Sequence, residues 1–307
     1  MTRTPDNSSK PAFWIGAILV LSAGSVFAVQ DAIAKTLTQT YAPTQVAWLR
    51  FALHAALVGL WMHSRGHHRY LSTKRFGVQA ARAGALVLVC VSMYSAVSLI
   101  PLAQATAVQF FSPILVTLLS VLFLGERIGW RRCLAIVAGF IGVIIVLAPS
   151  GSGLSIATLL PLVTALSLAI FVLLTRTLSQ PEEKLPAIGL MPVICTVLLL
   201  PVMPFVWQTV ALSDWPWFLA MACCGTLAHL CLQLGLRVAP ASVMSPYLYA
   251  QVICAAAISA TVFGDPLSSS FALGAAFIVG SGVSIWWLEL RAGRSLRSLS
   301  KVSHHEA

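Results

Sequence analysis

Apolar stretches near twenty residues long recur along the whole chain, separated by short polar segments. A helix needs about 20 apolar residues to cross a hydrocarbon core about 30 Å thick. With a window of about 19 residues, the pattern predicts helices over 12–31, 44–62, 78–99, 104–124, 131–148, 156–175, 186–206, 215–236, 242–263 and 270–289. The seventh is interrupted by Pro192, Pro201 and Pro204, and the third and fourth meet at a short joint at Pro101. The run from Ala12 to Val29 imitates a signal sequence, but it exceeds the usual apolar length and nine similar runs follow it. It reads as a retained first helix.

Composition then fixes the class. Of 307 residues, 58% are hydrophobic and 9% charged, with a mean hydropathy of +0.89, where a soluble domain has roughly a quarter charged. A soluble globular fold is excluded, and the expectation is an all-α integral membrane protein of ten transmembrane helices in a lipid bilayer. The net charge of +10 does not indicate nucleic acid, because the Lys and Arg residues form short clusters between apolar runs and no continuous basic face. Cations near span ends stay on the cytoplasmic side. Arg3 and Lys10, Arg65 to Arg75, Arg127 to Arg132, Arg176 and Lys184, Arg237, and Arg291 to Lys301 then share one side, with both termini cytoplasmic. The seven cysteines show no C-x-x-C spacing, so neither a disulfide framework nor a zinc site is expected.

An internal repeat adds a level of organisation. Lys35-Thr36-Leu37 matches Arg176-Thr177-Leu178, Gly125-Glu126 matches Gly264-Asp265, and Gly142-Val143 matches Gly282-Val283, at offsets of 141, 139 and 140. Two halves of five helices follow, and because five is odd the second must be inverted. The loop at Gly125-Glu126 carries three arginines, whereas that at Gly264-Asp265 carries Ser268, Ser269 and Ser270. The units are a tail at 1–11, repeats at 12–149 and 156–290, and a basic tail at 291–307. Inverted repeats with interrupted helices are a device of secondary transporters, whose halves rock around a site near the midplane.

Three groups of residues carry a family resemblance. The first is Asp31-Ala32-Ile33-Ala34-Lys35 followed by Gln45 to Phe51; the second is Ser112-Pro113, Phe123 to Arg127 and Gly142-Val143. The third is Ala239 to Ser242, Tyr249, Phe263 to Pro266, Gly274 and Ser281 to Val283, with Asp265 where the family usually has Glu. On these motifs the chain resembles the drug/metabolite transporter superfamily, EamA type. The resemblance implies a bacterial inner-membrane protein with a cavity between its halves and a small-molecule solute as partner. Relatives commonly export amino acids and related compounds; others carry S-adenosylmethionine, riboflavin, metallophores or drugs. The expectation is export of an amino acid or its derivative with no cofactor, by a monomer or homodimer, and the alternatives are vitamin-like or nucleoside-like uptake and metallophore or drug export.

Candidate chemistry follows from polar residues inside apolar spans, which are functional candidates by default. Asp31 and Lys35 lie one helical turn apart and are placed to pair, with Arg50 in reach of either; they suit coupling or gating, or a structural lock between the first two helices at the outer rim. His54 and His229 are the deep histidines, able to relay a proton or meet a carboxylate. Gln233 lies one turn from His229, and Gln30, Gln109 and Gln251 lie in spans that line the cavity in the resembled family. Their neutral amides suit a zwitterionic solute, or plain interhelical hydrogen bonding. Tyr94, Tyr247 and Tyr249 add aromatic faces with a hydroxyl, with Phe110, Phe111 and Phe171 nearer to packing. The tryptophans at span ends, such as Trp14, Trp61 and Trp130, read as interface anchors. Gly139, Gly142, Gly280 and Gly282 allow close helix approach. Glu126 and Asp265 are expected at turns on opposite sides.

One pattern points elsewhere. His63, His67 and His68 imitate a histidine box of a membrane iron enzyme, but such sites need several clusters and the chain has one. No metal site is expected there, and His304-His305 belong to the tail. The absence of G-x-x-x-x-G-K-[ST] leaves the chain without an ATP-hydrolysing motor of its own.

Overall fold

The computed structural model describes residues 9–66, 71–124, 129–147, 156–177, 184–238 and 245–303. The regular structure among them is helical: α1 (Ser9–Leu37), α2 (Pro43–Ser64), α3 (Phe76–Val97), α4 (Leu102–Gln109), α5 (Ser112–Leu124), α6 (Trp130–Leu147), α7 (Ile156–Thr177), α8 (Lys184–Leu199), α9 (Met203–Val206), α10 (Trp215–Val238), α11 (Ala250–Thr261) and α12 (Ser269–Ser303). Eight stretches among the described residues are long and apolar enough to cross a membrane. Two shorter apolar helices, Cys133–Leu147 and Tyr247–Thr261, stand where the fifth and ninth spans were predicted.

The interruptions have local causes. The fourth predicted span is two helices, α4 and α5, with Phe110 and Phe111 in a turn between them. Pro113 lacks an amide hydrogen and crowds the preceding turn, so it is accommodated in the first turn of a new helix rather than inside a continuing one. Tighter bonds from Phe111 N to the Val108 carbonyl and from Ile114 N to the Phe111 carbonyl bridge the turn. The predicted ninth span likewise starts with a 3-10 turn, Ser245–Tyr249, ahead of α11. In the seventh, Pro192 sits inside α8 without ending it, whereas Pro201 and Pro204 accompany a 3-10 turn at Leu200–Val202 and then α9. The last helix exceeds its predicted end at 289 and runs on through the basic segment to Ser303; no proline stands there to stop it.

Helices of the first half of the chain pack mainly on helices of the second. The main neighbours are α1 with α10, α6 with α12, α3 with α7, α2 with α8 and α4 with α11. Gly142 and Gly274 let α6 and α12 approach so closely that a Cβ on either would meet the other's carbonyl oxygen. Gly139 and Gly282 are also covered, by Ile114 and Tyr249, whereas Gly280, expected at a close approach, faces open space. Among the described residues the interior holds two large apolar clusters, one around Phe51, Tyr94, Phe218 and Met221, the other around Phe111, Ile114 and Ile278, and a small one at Ala17 and Val20. The exterior is apolar too: Leu60, Leu122, Ile144, Phe205 and Ile253 are exposed, as a surface solvated by lipid tails requires. Of the tryptophans expected at the interface, Trp14, Trp61, Trp130, Trp207, Trp217 and Trp287 are exposed.

Candidate functional site

The C-terminal part of α1 meets α2, α3, α10 and α11 around a set of buried polar side chains. Gln30, Asp31, Arg50, His54 and Gln251 are all buried, and Tyr94 is only 1% exposed. Gln30 Nε2 donates to the Tyr94 hydroxyl at 3.2 Å, and Gln251 Nε2 donates to Asp31 Oδ2 at 3.1 Å. Arg50 donates through Nη1 to the Cys90 thiol, rests 5.1 Å from the centre of the Phe51 ring and lies within electrostatic range of Asp31. At 1.5 Å of helix rise per residue, Gln30 and Arg50 each sit about 10 Å inward of the α1–α2 connection. The expected position of Arg50 at the outer rim is therefore corrected: it is two turns inside α2.

The expected pairing of Asp31 with Lys35 is also corrected. Lys35 Nζ lies 3.1 Å from Asp265 Oδ2, 3.4 Å from the Ile100 carbonyl oxygen and 4.8 Å from the centre of the Phe263 ring. The Ser259 hydroxyl donates to Asp265 Oδ2 at 2.7 Å and accepts from Ala103 N at 3.3 Å. One carboxylate thus joins the end of α1, the start of α4 and the end of α11. Gly264, at φ +67°, makes the turn that brings Asp265 back to Ser259; that left-handed backbone is strained for any residue with a Cβ.

The same end is tied twice more. Gln45 holds Gln208 at both backbone groups, donating to its oxygen at 2.6 Å and accepting from its nitrogen at 2.9 Å. Tyr41 donates to Asp214 Oδ2 at 2.6 Å and accepts from Ala211 N at 3.0 Å. The Asp214 carboxylate holds the Tyr41 phenol above the ordinary tyrosine range. The Lys35 end of the bundle is closed by partnered polar groups.

The other named residues divide. His229 stands edge-on to Phe27 at 5.1 Å and 6.0 Å from His54, so both histidines join the cluster. Gln233 is half-buried one turn along α10, and no hydrogen bond joins it to the cluster among the described residues. Tyr247 packs instead with Ala17 and Val20 of α1. Tyr249 stacks 5.1 Å from Phe110, its hydroxyl against Gly282. Beside that pair, Gln109 Oε1 and Thr106 Oγ1 are buried without a partner among the described residues. Phe111 packs on Phe140, and Phe171 lies under the Arg82 guanidinium. Glu126, Arg127, Ala239 to Ser242, His67, His68, His304 and His305 lie outside the described residues.

Sequence reasoning did not single out Cys90 or Gly225. A lone cysteine or glycine in an apolar helix has no spacing that sets it apart, and only the packed bundle brings Cys90 under Arg50 and Gly225 against Gln30 and Arg50. No group of three or more His, Cys, Asp or Glu side chains that would hold a metal is present among the described residues.

A buried acid and base inside apolar helices of a bundle with an apolar exterior are candidates for function in a membrane protein. Comparison with known proteins decides the family: the EamA-like transporter family matches twice, at residues 14–148 and 155–287. This chain belongs to that family, within the drug/metabolite transporter superfamily. It is a multi-pass membrane protein of a transporter family. This EamA-like chain is 27% identical to a riboflavin transporter of Vibrio cholerae over 93% of its own length and 97% of the relative's. It is 23% identical to an S-adenosylmethionine uptake transporter of Rickettsia bellii over 85% of its length and 90% of that protein's. A pseudopaline exporter of Pseudomonas aeruginosa is 28% identical over 61% of this chain and 66% of the exporter. The names span different solutes and both directions.

Proposed function

We propose that this protein is a secondary transporter of the bacterial inner membrane that exports an amino acid or an amino-acid-derived metabolite. It works by alternating access between two inverted five-helix halves, with ten spans and both termini cytoplasmic. The observation that carries the solute class is the cluster of Asp31, Arg50, Gln30 and Gln251, buried where helices from both halves of the chain meet. A guanidinium and a carboxylate in apolar surroundings complement a zwitterion and penalise a solute of large net charge. The neutral amides orient such a solute without adding a charge to desolvate.

The pairing of helices supports the two-half arrangement. In the predicted count, the second, fourth and fifth helices of one half pack on their own counterparts, and the first and third of each half exchange partners, as a two-fold relation demands. The bonded Lys35 end supports a conformation closed on one side. Asp31, a buried carboxylate facing Arg50, Gln251, Tyr94 and Cys90, is the proposed place of proton coupling. Uptake is the second reading, favoured by the Rickettsia relative.

The test is mass spectrometry of the culture medium from cells with the gene deleted, restored and overexpressed at matched growth. Export predicts that one class of amino-acid-derived compound accumulates outside in proportion to expression. Selective depletion of a supplied compound replaces export with uptake, and a medium unchanged in all three strains removes the proposal.

A further inference from the structure

Arg50 is under-partnered for a buried guanidinium. It is 3% exposed, and its one close hydrogen-bond acceptor among the described residues is the Cys90 thiol, a weak acceptor. Its Nε is buried with no partner among the described residues, and so is Gln30 Oε1. Both point to the same place. A Cβ added at Gly225 of α10 would stand 2.6 Å from Gln30 Oε1, 3.5 Å from Arg50 Nε and 3.6 Å from Arg50 Nη2. The Nε–Nη2 edge is one of the two forks by which a guanidinium grips a carboxylate with paired hydrogen bonds. Here that fork lies against the α10 backbone at Gly225, beside Gln30, where even a methyl group would not fit in this conformation.

Resting on the transport reading above, we infer that the Nε–Nη2 edge of Arg50, opposite Gln30 and across from Gly225, is the anchor for the carboxylate of the solute's amino-acid end. Gln30 Oε1 accepts from the ammonium, and Asp31 on the next residue balances its charge. The site admits the solute when α10 moves away from α1 and α2. In the conformation described here the helices are closed, and Gly225 packs directly against Gln30. Arg50 then sets specificity: a compound that has lost its carboxylate leaves the fork empty. A buried charge left without its partner costs far more than a surface contact.

The experiment is thermal unfolding of the purified full-length protein in detergent, followed by tryptophan fluorescence. The probes are the protein amino acids and S-adenosylmethionine, each beside its carboxamide or decarboxylated counterpart, with riboflavin as a probe that lacks a carboxylate. The inference expects at least one carboxylate-bearing probe to raise the unfolding temperature, its counterpart to need about a hundredfold higher concentration for the same rise, and Arg50→Gln to abolish the rise. Arg50→Lys keeps the charge but not the fork and is expected to bind about tenfold more weakly. Should Arg50→Gln fail to fold, Gly225→Ala retains every polar group, pushes the Gln30 amide away from Arg50 and is expected to lose the rise. The inference is overturned if no carboxylate probe stabilises the wild type, if counterparts or riboflavin stabilise it equally, or if the variants keep the full effect. Transport itself is read from the culture medium. A solute exported without a carboxylate sinks the Arg50 assignment and spares transport, whereas an unchanged medium sinks transport.

Discussion

Two clusters on α1 each contain an acid and a base, little more than a helical turn apart, and they differ in how completely their polar atoms are satisfied. At the Lys35 end, Asp265 receives Lys35 and Ser259, and Ser259 passes the connection on to Ala103 N. Inward of it, Asp31 receives Gln251, but Arg50 has a thiol and an unpartnered Nε, and Gln30 keeps an unpartnered oxygen. Leaving polar atoms unpaired in an apolar interior costs more than a made hydrogen bond returns. The closed cluster therefore serves the bundle itself, whereas the incomplete one is held at a cost, which the proposed solute site would offset. Exposure agrees: Lys35 and Asp265 retain 12% and 20%, and Arg50 retains 3%.

The contrast can be broken most strongly at Arg50. Arg50→Gln is expected to lower the initial rate of solute movement about a hundredfold, near 3 kcal/mol, with unchanged membrane abundance. Transport assays on abundance-matched cells check this, and a rate within threefold of wild type would erase the difference between the clusters. Asp265→Asn should do the reverse, costing about 1–2 kcal/mol of stability while transport stays within a few-fold; unfolding in detergent measures the first and the same transport assay the second. Gly264→Ala strains the turn that delivers Asp265, with an expected loss of about 1 kcal/mol. That loss should largely vanish when Asp265→Asn is already present, which a double-mutant comparison of unfolding temperatures reads out.

The smallest effect is expected at Tyr41. Its phenol titrates above the ordinary tyrosine value because it donates to Asp214. The folded form holds this proton more tightly than the unfolded chain does, so the contribution is complete below the ordinary tyrosine pKa of about 10. It is lost as pH rises through the raised value. Tyr41→Phe should cost up to about 1 kcal/mol at neutral pH and flatten the alkaline fall in stability, followed by unfolding between about pH 8 and pH 11.

Much of the bundle was readable because apolar length and proline placement act locally. Pro201 and Pro204 broke the seventh helix where they were expected to, but Pro113 did so unannounced, since the window average stays high across Phe110 and Phe111. The site was readable in kind more than in pairing. Gln30, Asp31, Arg50, His54, Tyr94, His229 and Gln251 do meet, because a polar group in an apolar helix must turn inward. Gln233 and Tyr247 do not join them. Lys35 went to Asp265, 230 residues away, since a one-turn spacing permits a pair but does not compel it when a closer carboxylate arrives from another helix.

By itself the sequence determined that the chain is helical, membrane-embedded and built on family motifs in both halves. Hydrophobic length and the cost of unpaired backbone in lipid leave no other solution. Only the tertiary structure decided which acid meets which base, that Cys90 lies under Arg50, and that the Gly225 backbone packs against Gln30 and Arg50. Those outcomes depend on how helices distant in sequence pack, and contacts between such helices leave no periodic trace along the chain.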